Sequence, residues 1–195
     1  MLREILIKTC EILNKQDIIY ELKNNDSVEN ITNTQLQSDV YKLISFYNFI
    51  VQSIFQNYID MTHTEHIISD ENNRIEFYNL SYEPIEIISV SDDNRSHCCA
   101  NVFCNYILTN QSNKQYTITY KYLPEELHDI NDKLNIPKLL LKRIICYGIA
   151  SEYFASKNLF KESDYWKNYF MYEIFKLKTH KERRLKSTFR IWNKN

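Results

Sequence analysis

A single glycine, Gly148, serves a chain of 195 residues. The usual share is roughly 7%, and glycine is the residue that lets backbone turn left-handed or come close to a ligand. Loops that cradle phosphate depend on that freedom, so neither a P-loop nor a dinucleotide-binding fingerprint can be built here. Gly148 lies inside an apolar helical pattern, where glycine costs about 1 kcal/mol relative to alanine. Its presence there predicts a second helix approaching closely. Asn, Ile, Lys and Tyr are plentiful, which reads as an AT-rich coding genome and carries no mechanistic information.

The hydrophobic period changes twice along the chain. Leu2, Ile5, Leu6, Ile12 and Leu13 predict a helix over 1–15, and Asp17 could cap a short second helix through Leu22. The polar stretch 23–34 predicts a loop. Leu36, Val40, Leu43, Tyr47, Ile50, Val51 and Ile54 form the stripe of a long helix over about 34–58. From Met61 to Tyr122 the period drops to two. Strands are expected at 62–69, 74–80, 85–91, 100–109 and 115–122, with polar turns at 70–73, 91–95 and 110–114. In the last strand Tyr116, Ile118, Tyr120 and Tyr122 alternate with polar residues. Pro137 suits the first turn of a helix reaching about Lys157, and a further helix over about 161–179 carries Tyr165, Trp166, Phe170, Ile174 and Phe175 as an aromatic face.

These elements predict an α+β chain, mainly α. A helical bundle core would carry an antiparallel β insertion, a small sheet or open barrel, in mid-chain. The expected divisions are 1–60 and 124–180 for the core helices, 61–123 for the insertion and 181–195 for a basic-aromatic tail. The length suffices to bury a core without covalent staples. A composition of 44% hydrophobic and 25% charged residues is that of a folded protein.

The near-zero net charge of −1 conceals a division. From Lys176 to Asn195 there are eight basic residues against Glu182 alone, a net of +7, which leaves −8 on the remainder. Leu185, Phe189, Ile191 and Trp192 interleave with Arg183, Arg184, Lys186 and Arg190. A purely solvated end would not carry those apolar residues. Trp and Arg commonly anchor protein interfaces, so this segment is expected to dock on a protein, ahead of touching DNA phosphates.

Other constellations are read more plainly. His97, Cys98, Cys99 and Cys104 lack paired metal-ligand spacing, because adjacent strand residues face opposite ways; the cysteines are expected to be buried or half-buried strand thiols. His63 and His66, near Glu65 and Asp70, fall at a strand or a helix end; their spacing would bring the rings together on a helix and set them on opposite faces of a strand, and exposed polar residues are expected. Cys146 falls among apolar helical neighbours, where a thiol is inert. Glu125-Glu126 and Asp92-Asp93 are expected in solvated turns. No nucleophile elbow or His-Glu-x-x-His motif occurs. Neither catalysis nor a cofactor or metal is expected. No run of signal-peptide or membrane-span length is present, and the five cysteines are odd in number, so free thiols in a reducing cytoplasm are expected.

Several segments together resemble a known family. They are Glu83-Pro84-Ile85-Glu86-Ile87-Ile88-Ser89-Val90-Ser91-Asp92, Gln115–Tyr122 with Leu123-Pro124, Pro137-Lys138-Leu139-Leu140-Leu141, Tyr147-Gly148-Ile149-Ala150-Ser151-Glu152-Tyr153, Phe160-Lys161-Glu162-Ser163-Asp164-Tyr165-Trp166 and Phe189-Arg190-Ile191-Trp192. Over roughly 83–192 they resemble the head-to-tail connector, or adaptor, proteins of tailed bacteriophages. The resemblance implies helical bundles with a β insertion, assembled in the host cytoplasm as homo-oligomeric rings, commonly twelvefold, at the virion neck. Such rings sit between the portal protein and a tail or stopper protein, and DNA passes through the lumen without specific binding and without any membrane. It also implies that Arg183, Arg184, Leu185, Lys186, Phe189, Arg190, Ile191 and Trp192 reach onto the portal. The alternative expectation is a nucleic-acid-binding module using the same basic tail. The loop at 23–34 has no counterpart in this picture.

Overall fold

The structure, a computed structural model, describes residues 2–92, 100–133 and 142–191, with side chains through 177. His97, Cys98 and Cys99, the turn at 93–95, the expected helix start at Pro137, and the side chains of Arg183, Arg184, Leu185, Lys186, Phe189, Arg190, Ile191 and Trp192 lie outside the described residues. The chain is α+β and divides into two compact units. Met1–Ile54 with Glu125–Asn195 form a helical unit, and Phe55–Pro124 form a β unit.

In the helical unit, α1 (Leu2–Ile12) buries Leu2, Ile5, Leu6, Thr9 and Cys10, one face at helical spacing. Asn14 turns the chain with φ of 55°, and α2 (Gln16–Asn24) follows. Asp17 therefore lies in the first turn of α2, where its charge favours the helix dipole, and does not cap it; Lys15 flanks the start without a side-chain cap. α3 (Thr34–Asn57) is capped by Asn33, whose Oδ1 accepts from the Gln35 and Leu36 N–H groups at 3.0 and 3.2 Å. The stripe Val40, Leu43, Tyr47, Ile50, Val51 and Ile54 is buried. α4 (Lys142–Ser156) packs against α1 and against α5 (Phe160–Ile191), the turn between them made by Asn158 at φ 59°. Ser151 Oγ donates to the Ser163 carbonyl at 3.1 Å, so small residues let α4 and α5 meet.

Two expectations change here. The polar stretch 23–34 is an ordered clasp. Val28 and Ile31 are buried, and the Asp129 carboxylate accepts from the Val28 N–H at 2.9 Å and from Ser27 Oγ at 3.2 Å. Arg3 Nη2 adds bonds to the Asn25 carbonyl at 2.8 Å and Asn131 Oδ1 at 3.0 Å. The last helix also does not stop near Thr179; its backbone continues to Ile191. Nothing after Phe160 breaks it, since the segment holds no Pro or Gly and is rich in Lys, Arg and Glu. Cations near a helix C-terminus favour its dipole.

The β unit holds two three-stranded antiparallel sheets. β1 (Thr62–Ile68), β3 (Pro84–Asp92) and β6 (Gln115–Tyr122) form one in the order β1-β6-β3. β2 (Arg74–Glu76), β4 (Asn101–Val102) and β5 (Tyr106–Leu108) form the other in the order β2-β5-β4. Among the described residues the sheets close no barrel. β6 is central and buries Tyr116, Ile118, Tyr120 and Tyr122. The strand expected over 74–80 ends at Glu76 in a 3-10 turn, Phe77–Asn79, and the one over 100–109 is a hairpin, its turn at 103–105 closed by the Phe103 N–H to Tyr106 carbonyl bond at 2.9 Å.

The chain leaves the helical unit at the end of α3 and returns at Glu125. The Asn48 side chain ties the returning segment down: Nδ2 donates to the Leu127 carbonyl at 2.8 Å, and the Leu127 N–H donates to Oδ1 at 3.0 Å. One turn along, Gln52 Nε2 donates to Glu126 at 2.9 Å, so this glutamate is tethered. Asn48→Ala leaves both Leu127 backbone groups without that partner. A loss of about 2 kcal/mol is expected, read as a lower denaturant midpoint at unchanged slope.

Candidate interaction surface

Among the described residues no three of His, Cys, Asp and Glu come together as metal ligands, and no helix is long and apolar enough to cross a membrane. His63 and His66 diverge across β1. The His63 ring meets Tyr82 edge-on at 5.2 Å, while His66 Nδ1 bonds Thr117 Oγ1 at 2.9 Å. Burial pushes the Cys10 thiol up to about 12 and raises that of Cys146 as well, so neither is a nucleophile at neutral pH. Cys104, expected to be a buried or half-buried strand thiol, is instead exposed in the turn between β4 and β5, where the hairpin reverses. Asp92, expected in a solvated turn, ends β3 and pairs with Lys114 at 3.4 Å.

Glu65 centres a polar cluster of the β unit. Its carboxylate accepts from Tyr120 Oη at 2.5 Å, Ser81 Oγ at 2.8 Å and the Ser81 N–H at 3.0 Å. Tyr120 Oη in turn accepts from the Tyr82 N–H at 3.2 Å. Partial burial pushes the Glu65 carboxyl up, but the bonds from Tyr120 and Ser81 outweigh it and hold it below its ordinary value. Burial, then the neighbouring carboxylate, raises the Tyr120 phenol. Tyr82 stacks on Tyr122 at 4.2 Å over the same region. The carboxylate's partners are supplied from within, and the cluster ties the chain before β3 to β1 and β6.

Among the described residues of the helical unit, the largest accumulation of exposed apolar side chains lies on α5. Phe170 and Ile174 face the core, whereas Phe160, Tyr165, Tyr169, Met171, Tyr172 and Phe175 are exposed. The face expected of this helix is thus divided: Phe170 and Ile174 are buried, Trp166 is half-buried, and Tyr165 and Phe175 are exposed. Beside it an open groove of about 570 Å³ is lined by Lys8, Glu11, Ile12 and Arg143 and by the rings of Tyr147, Tyr165, Trp166 and Tyr169. Tyr147 and Trp166 stack at 5.5 Å, and Tyr165 Oη donates to Tyr169 Oη at 3.4 Å. Arg143 on α4 reaches Glu173 at 2.9 Å, Lys176 reaches it at 3.1 Å, and Lys176 Nζ sits 4.1 Å over the Tyr172 ring. Partial burial pushes Glu173 up, but Lys176 and Arg143 hold it below the usual range.

The predicted partner-binding residues Arg183 to Ile191 continue this helix, and their shared scaffold is its backbone. Sequence reading missed Tyr169, Met171 and Tyr172. The signal was there in the spacing of Tyr165, Tyr169 and Tyr172, i, i+4 and i+7 on one face. No protein-family model matches the chain, and no curated protein matches it.

Proposed function

We propose that this chain is a non-enzymatic structural subunit of a tailed-bacteriophage virion, one copy of a homo-oligomeric ring at the neck that joins the portal to the tail. The carrying observation is α5, a helix of 32 residues whose outward face is aromatic and whose far end is basic. Broad aromatic surfaces serve protein contacts, and the basic far end, with its interleaved apolar residues, suits docking in a partner's groove. The packing of α1 on α4 and of α4 on α5, with the β unit entering between α3 and α4, supports a helical bundle with an insertion. Arg183, Arg184, Leu185, Lys186, Phe189, Arg190, Ile191 and Trp192 hold the portal, and a tail or stopper protein binds the opposite side. The net −8 outside the last twenty residues suits a lumen through which DNA slides without sticking.

Electron microscopy of the purified protein, alone and with portal, tests the reading. Closed rings on the portal are expected. A chain ending at Leu177 keeps Glu173 and its ion pairs, so its body stays folded, but it should lose portal docking by about 100-fold or more. Undiminished docking of the shortened chain removes the tail from this role. The second reading, a nucleic-acid-binding module, rests on the +7 of the same segment. Gel shifts at two salt concentrations separate the two, because phosphate contacts give a steep salt dependence.

A further inference from the structure

The outward side of α5 carries two apolar flanks. At 100° per residue, Tyr165, Tyr169 and Tyr172 centre about 150° round from Phe160, whereas Phe160, Asp164, Met171 and Phe175 centre at about 30°. The buried Ser163, Phe170 and Ile174 lie near 300° on the same scale, so the flanks stand about 120° apart on either side of the outward direction. One flank is a row of phenols bordering the aromatic groove. The other is phenyl and thioether around one carboxylate.

We propose that these flanks are the two halves of one self-interface, the tyrosine flank of each copy receiving the Phe160–Met171–Phe175 flank of the next. The inference rests on the ring reading and names the surfaces that would close the ring. A closed ring needs a heterologous contact, in which each subunit offers two different surfaces pointing different ways. Area supports a second copy as occupant. The six side chains are between 40% and 66% exposed; at 150–250 Å² each, one flank against the other covers roughly 600 Å² of aromatic and thioether surface. With the polar surface that ordinarily accompanies it, the contact reaches about 1,000 Å², the threshold for a specific interface. A twofold axis running along the helix would set Asp164 against its own copy, which opposes that form of self-pairing of the Phe flank. Against the tyrosine flank the same carboxylate meets phenol donors.

Mixing tests this. Tyr165→Asp disables one flank and Phe175→Asp the other; both sites are exposed, and circular dichroism checks that each variant is folded. By native mass spectrometry and sedimentation, wild type should form closed oligomers. Each variant alone should need a roughly tenfold or greater concentration to associate. The two variants mixed should recover one good interface and stop at a one-to-one dimer. Variants that each assemble like wild type, or a mixture no better than its parts, overturn the pairing while leaving the ring reading in place. Wild type that stays monomeric both alone and on the portal overturns the two together.

Discussion

Gly148→Leu is expected to destabilise the helical unit by about 3 kcal/mol or more, the upper end of what overpacking costs. A Cβ at position 148 would lie 2.7 Å from Ile50 Cγ2, 2.9 Å from Cδ1 and 3.1 Å from Cγ1. Ile50 sits on α3 and is 4% exposed. Being β-branched, it is held to one rotamer in a helix, and its Cγ2 cannot swing away from the intruding carbon without moving the backbone. Alanine at 148 gains about 1 kcal/mol of helix propensity, which partly offsets the clash, so Gly148→Ala should cost much less than Gly148→Leu. Thermal melts give the first reading, several degrees per kcal/mol at this size. A double-mutant cycle gives the second: Ile50→Ala alone costs about 2–5 kcal/mol for its cavity, yet combined with Gly148→Leu it should lose less than the sum. Strict additivity, or an unchanged melt for Gly148→Leu, would mean that Ile50 does not fill this notch.

Glu65→Ala is the largest expected effect in the β unit. The charged acceptor serves Tyr120 and both donors of Ser81, and charge-assisted bonds are stronger than neutral ones. Discounting for its partial exposure, a loss of about 2 kcal/mol is expected. The pH dependence follows from the direction of the shift. The folded carboxyl titrates below its ordinary value of 4.5, so the unfolded chain takes up a proton first as pH falls. The stabilisation is therefore fully present above about 4.5 and is lost as acidification passes through the lower, folded value. In Glu65→Ala this acid-side loss should disappear from the pH profile of β-unit stability. A variant whose acid limb matched wild type would assign that limb to other carboxylates.

The sequence was most legible where one period ran long. β6 spans Gln115–Tyr122 as its alternation predicts, and the stripe of α3 is buried as its spacing predicts. It was least legible where local chemistry depends on distant residues. The polar stretch 23–34 looked like slack because its partners, Asp129 and Asn131, lie about a hundred positions away. On α5 the aromatic residues share one helix, and only packing on α4 decides that Phe170 turns inward while Phe175 stays out. Composition was also under-read. Asparagine, taken as a mark of genome bias, occupies every described non-glycine position of positive φ: Asn14, Asn73, Asn113 and Asn158, at 53–62°. Its short polar side chain tolerates the left-handed region better than other residues do, which is how a chain with one glycine still makes tight turns.

The Asn48 clamp has a consequence for how such a chain can evolve. Entry to and exit from the β unit are pinned within two turns of α3, by Asn48 and Gln52 on one side and Glu126 and Leu127 on the other. Neighbouring ends make a segment a cassette: a short loop or a foreign module could bridge the same gap with the helices undisturbed, since lengthening a connection costs little. Replacing the strand region by a short loop is therefore expected to leave the helical unit folded.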